Sequence, residues 1–473
     1  MKRFLFISTF VLTLVISVSA QQAKYVFCFI GDGMGVNQVL STEMYQSELN
    51  GEIGVSPLVF SQFPYATIAH TFSGTNGVTD SAASGTALAT ANKTRNGSLG
   101  VTKDLLEVTS VAAWAKENGY RVGITTSVSI DHATPAAFYA HQKSRTSYYE
   151  IGLDLIDANF DFYAAADFLD PTNQKAQDGK AYESLYDLTA KAGYTLARGY
   201  KDYQKKAKKA EKMILFQTES ASAVDNSCIP FAIDRKKGDM TLSEITRAGI
   251  NFLSKNNDKG FFLMVEGGKI DWAAHSNDGA TVLREVQDLN DAVKVAHEFY
   301  EQHPDETLIV ITADHETGGL SLGNGSYDLN LQALKNQKVS ESGFTSILNS
   351  LRKKYNNQVP WETIQQVLKD NFGFWTNIKL DEEQEARLKA VFEQSFGNQP
   401  IILEKSEYIQ NEPLAGEAKR ILNSIAGLGW TSGGHSAGFV PVFAIGANAQ
   451  LFQGRLDNIE IPLKIAEAAG YEH

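Results

Sequence analysis

The 473-residue sequence predicts an α/β fold built on a large, mostly parallel central sheet with helices on both faces. Three observations carry this. Short β-rich apolar runs recur along the chain, and most of them end in polar or glycine-rich sequence. The runs are nearly continuous in their apolar character, as strands buried on both faces are. Stretches with helical spacing lie between them, giving the strand–helix alternation of a doubly wound sheet.

In chain order, strands are read at Ala23–Ile30 before Gly31-Asp32-Gly33, at Val122–Ser127 before Asp131-His132, and at Gly260–Val265 before Glu266. Two more follow, at Leu308–Thr312 before Ala313-Asp314-His315 and at Phe439–Ile445. Helices are read at Val108–Asn118, Leu242–Lys255 and Thr281–Gln302. The first of these ends in Asn118-Gly119, a pair suited to a helix C-terminus. Small residues without β-branching dominate 81–91, so a helix starts near Asp80 or Ser81, both good N-caps. Residues 318–430 break the strand pattern with mostly helical sequence and read as a helical insertion beside the sheet. Ligands of such sheets bind beyond the carboxyl ends of the strands, where the polar clusters after the first four strands fall.

Residues 1–20 have the form of a signal peptide: Lys2 and Arg3, an apolar Phe4–Ile16, and small residues at Val18-Ser19-Ala20. The apolar run is too short to span a bilayer. Residues 21–473 then form one domain, secreted or periplasmic, with no membrane attachment after cleavage. The chain has 43 Lys+Arg against 55 Asp+Glu, a net charge of −12, and loss of Lys2 and Arg3 makes this −14. That acidity argues against a nucleic-acid surface, which is usually basic. The six lysines of Lys201–Lys212 read as a solvated helix face. Cys28 and Cys228 allow one disulfide, or a buried thiol acting as a small hydrophobe.

Gly31-Asp32-Gly33-Met34-Gly35 follows a strand like a dinucleotide fingerprint, but Val36 stands where that motif needs glycine. A carboxylate at a strand end is instead a good ligand for a hard metal. Asp271 and His275 sit four apart, which on a helix puts an oxygen and an imidazole on one face, a common zinc arrangement. Asp314-His315 follows a strand directly, and His435 follows the turn Thr431-Ser432-Gly433-Gly434. Three histidine-bearing motifs and several carboxylates near strand ends favour a metal cluster over isolated polar residues. Ser81 at a helix start offers a hydroxyl where helix N–H groups favour an anion; a metal would activate it as a nucleophile.

Together these motifs resemble the alkaline phosphatases, secreted phosphomonoesterases with a binuclear zinc site. Six motifs match in order: Gly31-Asp32-Gly33-Met34-Gly35, Thr79-Asp80-Ser81-Ala82-Ala83-Ser84, His132-Ala133-Thr134-Pro135-Ala136, Val265-Glu266-Gly267, Ala313-Asp314-His315 and Gly434-His435. The resemblance implies Ser81 as a nucleophile that becomes phosphoserine and Arg145 as the clamp on the substrate phosphate. It implies Asp271, His275 and His435 on a first zinc, and Asp32, Asp314 and His315 on a second. Asp32, Thr134 and Glu266 would form a magnesium site. Small phosphate monoesters are the implied substrates and a homodimer the implied assembly. Three positions depart from the best-known bacterial pattern. His132 stands where an aspartate near magnesium is common, Trp272 where a lysine or histidine touches phosphate, and Thr317 in place of a histidine near the first zinc. Both His132 and Trp272 would therefore border the substrate.

Two other functions compete with this one. A phosphodiesterase or sulfatase of the same superfamily is one; the sulfatase motif needs an arginine where Cys228-Ile229-Pro230-Phe231-Ala232 has Ala232. A non-catalytic exported protein that binds metal or phosphate is the other, but it has no need of Ser81. Net charge does not decide the sign of the site. Three divalent ions and Arg145 would leave a positive pocket inside an acidic shell.

Overall fold

A computed structural model describes residues 22–325, 327–397 and 401–473; the signal peptide expected at 1–20 lies outside them. Among the described residues, ten strands form one sheet. In chain order they are β1 Tyr25–Gly31, β2 Tyr65–His70, β3 Arg121–Thr126, β4 Phe162–Ala165, β5 Tyr194–Arg198, β6 Lys212–Phe216, β7 Phe261–Gly267, β8 Thr307–Thr312, β9 Val440–Gly446 and β10 Leu456–Asp457. Across the sheet they run β10-β2-β9-β8-β1-β7-β3-β4-β6-β5. Only β9 runs against its neighbours, β2 and β8.

The three central strands β1, β7 and β8 are buried at every position. That is why their sequences are continuously apolar, and why they were readable. β4, β5, β6 and the short β10 escaped a reading based on long apolar runs, and β2 is half-exposed and mixed in character. Helices Val111–Glu117, Leu242–Leu253 and Gly279–Tyr300 fill the expected gaps. Leu242–Leu253 opens with a reciprocal capping box between Thr241 and Glu244. The rings of Phe27 and Phe261 meet edge to face at 5.3 Å, worth about 0.5–1.5 kcal/mol beyond the area they bury. The lysine-rich stretch divides. Tyr200–Lys206 is a helix with exposed lysines, and Lys212 begins β6.

Residues 318–430 hold the helices Glu341–Lys354, Trp361–Phe372, Glu382–Phe396 and Pro413–Ala426, with short two-residue strands between them. Phe344, Leu348, Ile364, Leu368, Phe372, Leu414, Ile421 and Leu422 form a second apolar core, separate from that of the sheet. Buried Lys419 ties this core to the end of the helix Lys269–His275. Its ammonium donates to the Ser276 carbonyl and to Glu341 at 2.9 Å. Cys28 and Cys228 are both buried and free, so they form no disulfide. No helix among the described residues is long and apolar enough to cross a membrane.

Candidate active site

β1, β7 and β8 end side by side, and each delivers an acid to the same edge. Asp32 follows β1, Glu266 is the last residue but one of β7, and Asp314 follows β8; all are fully buried. Gly33 turns the chain after Asp32 at φ +72°, and a Cβ there would stand 2.8 Å from the Asp271 Cα. Glycine is therefore required both by the backbone angle and by the approach of the next ligand. Asp271 and His275 lie on the buried helix Lys269–His275, with His275 Nε2 3.2 Å from Asp271 Oδ2. Complete burial separates this pair from an ordinary surface i,i+4 ion pair.

His435 returns beside them on the short strand His435–Ser436, which pairs with Glu316–Thr317 next to His315. His435 Nε2 stands 3.1 Å from His275 Nε2 and 3.7 Å from Asp271 Oδ1. Each of these imidazoles uses its other nitrogen on a carbonyl, His275 Nδ1 on Gly433 O at 2.6 Å and His435 Nδ1 on Thr79 O at 2.8 Å. This fixes both rings with Nε2 turned into the site. Beside them, His315 Nε2 lies 3.4 Å from Asp32 Oδ1 and 3.3 Å from Asp314 Oδ2.

Four groups of such residues bring their ligand atoms within 4.8 Å of one another: Asp271 with His315 and His435, His275 with Glu407 and His435, Asp32 with Asp314 and His315, and Asp32 with His132 and Glu266. Thr134 donates to Asp32 Oδ2 at 3.4 Å, carried by the helix Ala133–Ala136 after its N-cap His132. Asp32 Oδ1, Glu266 Oε1, Asp271 Oδ2 and His132 Nδ1 are buried without a hydrogen-bond partner. Buried polar atoms are rarely left so. Hard oxygens and imidazoles in these groups suit zinc and magnesium.

The electrostatics agree with a cation site. Burial, then the Asp314, Asp271 and Glu266 carboxylates, push Asp32 well above the usual carboxylate range. Burial lifts Glu266 to about 8, and burial with Asp271 lifts Asp314 to about 7. Burial also works upward on Asp271, but His275, His435 and His315 hold it far below the usual range. Burial and the neighbouring Arg145 push His132 down to about 3, keeping it neutral. Acids buried this closely take up protons unless a cation neutralises them.

Ser81 is the first residue of the buried helix Ser81–Thr90, whose N-cap Asp80 accepts from Ala83 N at 2.9 Å. Its hydroxyl lies 3.2 Å from His315 Nε2, on the rim of the acidic cluster. Arg145 comes from a loop on the other side. Its Nη1 donates to Asp80 Oδ2 at 3.2 Å, and its Nη2 to His132 Nε2 at 3.3 Å and the Tyr408 hydroxyl at 3.2 Å. Trp272 stacks on Tyr408, centroids 4.7 Å apart and 14° between planes, and meets His132 edge-on at 6.0 Å. All twelve residues singled out in the sequence thus line one site.

Three participants were not singled out. Thr317 donates its hydroxyl to Asp271 Oδ1; the position was noted only for the histidine it replaces. Glu407 and Tyr408 come from the turn of a small hairpin, Glu404–Lys405 with Gln410–Asn411. Nothing in the local sequence of that turn marks it, since its chemistry depends on long-range contact alone.

Comparison with known proteins agrees with the geometry. The family profile described as alkaline phosphatase matches residues 23–159 and 164–471. Alkaline phosphatase 3 of Bacillus subtilis (strain 168) is 30% identical over 456 residues, covering 95% of this chain and 90% of that protein. The cold-active alkaline phosphatase of a psychrophilic Shewanella species superposes with a TM-score of 0.76 at 29% identity, covering 94% of this chain and 99% of the other. A mutant TAB5 alkaline phosphatase with magnesium bound in its M3 site gives a TM-score of 0.67 at 26% identity, covering 96% and 100%. Fold and site define a metal-binding hydrolase. The chain belongs to the alkaline phosphatase family and is a phosphoric monoester hydrolase.

Proposed function

We propose that this enzyme hydrolyses small phosphate monoesters through a phosphoserine at Ser81, using two zinc ions and one magnesium ion. The observation that carries the proposal is Ser81 Oγ at 3.2 Å from His315 Nε2, a hydroxyl placed against the acids and imidazoles of Asp32, Asp314 and His315. Those three would hold one zinc, and Asp271, His275 and His435 the other. Asp32, Thr134 and Glu266, with His132 beside them, would hold magnesium; among the relatives, a TAB5 alkaline phosphatase mutant with an aspartate in place of a histidine has magnesium bound in its M3 site. When bound, the metals supply Lewis acidity and lower the pKa of coordinated hydroxyls.

The chain's own groups do the rest. Arg145 offers a planar fork to two non-bridging phosphate oxygens, which lysine cannot, and the buried N-terminus of Ser81–Thr90 favours the anion. Ser81 Oγ bonds to phosphorus as the ester oxygen leaves. Water then cleaves the serine ester, so the two displacements retain configuration at phosphorus. The family resemblance adds export to the periplasm or medium and a homodimer.

The test is to incubate the enzyme with radioactive inorganic phosphate at acid pH and locate the label. Label on Ser81 is expected, and none in Ser81→Ala; label elsewhere, or undiminished in that variant, would refute the nucleophile. Zinc and magnesium added back separately after chelation should each restore part of the activity.

A further inference from the structure

The Arg145 guanidinium has two edges that can grip an anion with two parallel donors, Nε with Nη2 and Nη1 with Nη2. Each edge includes an Nη2 hydrogen. Both Nη2 hydrogens are already committed, one to His132 Nε2 at 3.3 Å and one to the Tyr408 hydroxyl at 3.2 Å. A phosphate gripped at two points must therefore displace one of these acceptors.

The two differ in how firmly they are held. His132 is buried and caps the helix Ala133–Ala136, within the core. Tyr408 is half-buried, on the four-residue turn Ser406–Ile409 of a hairpin only two residues long on each side. That turn is fastened to the rest of the site by side chains: Tyr408 on Trp272, and Ser276 Oγ donating to Ser406 Oγ at 3.4 Å. Glu407 on the same turn faces His275 Nε2 at 3.3 Å.

We propose that Tyr408 is a latch on the phosphate site, its hydroxyl holding in the resting protein the Arg145 prong that a phosphate oxygen takes on binding. The proposal rests on the reading of Arg145 as the phosphate clamp. Anion entry and release of the hairpin become one event, with the Tyr408–Trp272 stack loosened as the prong is exchanged. Tyr408 is a positioning residue that competes with the ligand; it is not itself a ligand.

The test measures binding of inorganic phosphate to the zinc- and magnesium-loaded enzyme by calorimetry, in the parent, Tyr408→Phe and Arg145→Lys proteins. Tyr408→Phe keeps the stack and frees the prong, so phosphate should bind about three- to tenfold more tightly, the worth of one displaced hydrogen bond. In the parent, phosphate should also shift the tryptophan emission, and this shift should vanish in Trp272→Phe. Unchanged or weaker phosphate binding by Tyr408→Phe, with Arg145→Lys weakened, overturns the latch and leaves the clamp standing. Unchanged binding by Arg145→Lys overturns the clamp and the latch together.

Discussion

His275 and His435 hold their Nε2 atoms 3.1 Å apart while each commits its Nδ1 to a backbone carbonyl. Two neutral rings in these tautomers would face each other lone pair to lone pair, so something positive has to be shared between them. In the metal-free protein a proton on His275 serves. Burial pushes that imidazole down, but Asp271 at 3.2 Å pulls it up to about 9. Below pH 9 a cation entering here must expel this proton; above it there is none to expel. Adding zinc to stripped enzyme in weak buffer should therefore release protons at pH 7.5, with the His275 contribution fading past pH 9. His435→Ala should lose one of two tightly bound zinc ions and at least about a hundredfold in activity, the upper end for losing mere outer support of a ligand. Retention of both ions would disprove the assignment.

Thr317 contributes only a hydroxyl, donated to Asp271 Oδ1 and close to His315 Nδ1 at 3.2 Å. Thr317→Val keeps the shape and removes the donor. Zinc affinity, measured by competition with a chromogenic chelator, should fall about ten- to a hundredfold. The fold should be unaffected, read by circular dichroism.

Arg145→Lys replaces a fork with a point charge. We expect KM for an aryl phosphate to rise and kcat/KM to fall about ten- to a hundredfold, the range for charged hydrogen bonds. Asp80→Asn weakens the partner of Nη1 and should produce a smaller change in the same direction.

Asp131 lies between the strand end of β3 and His132, fully buried, with Oδ2 accepting from Leu169 N at 2.8 Å and Oδ1 without a partner. Burial raises its pKa to about 7. The folded state thus holds this proton more tightly than the unfolded chain. Its contribution to stability is complete in acid, below the ordinary carboxylate pKa, and is lost as pH climbs to about 7. Asp131→Asn should match the parent near pH 4.5 and exceed it by roughly 3 kcal/mol at pH 8, at about 1.4 kcal/mol per unit. Urea unfolding at both pH values checks this; a gap that does not widen with pH contradicts it.

Cys28 and Cys228 are both pushed up to about 12 by burial. At pH 8 about one thiol in ten thousand is the reactive thiolate. A thiol reagent should find neither in the native enzyme and both in denaturant, with the count unchanged by prior reduction.

The sequence was legible where one residue's chemistry and one element's burial coincided. The continuously apolar β1, β7 and β8 announced the sheet, and their terminal acids announced the site, because a charged residue directly after a buried strand has few other reasons to be there. Asp271 and His275 were readable from a four-residue spacing. The lesser strands were not, being short or mixed: β5 is half-buried, and β2 carries exposed residues. β9 was readable as a strand but not in its direction, which only its pairing with β2 and β8 shows. Tyr408 and Glu407 were beyond reach for another reason. They belong to an insertion with its own core, and they meet the site only because that core packs where it does.

The position of β1 in the sheet has a consequence for how the protein comes into being. Its first residue, Tyr25, pairs with Phe261 on one side and Thr307 on the other, so both neighbours lie past the midpoint of the chain. At ordinary rates of synthesis, about 5–20 residues per second, this wholly apolar strand waits on the order of ten seconds to a minute before either partner exists. His435 emerges later still. The cluster at the strand ends is thus incomplete until nearly the last residues are made, and for most of that time the nascent chain is a client for whatever keeps unpaired strands apart.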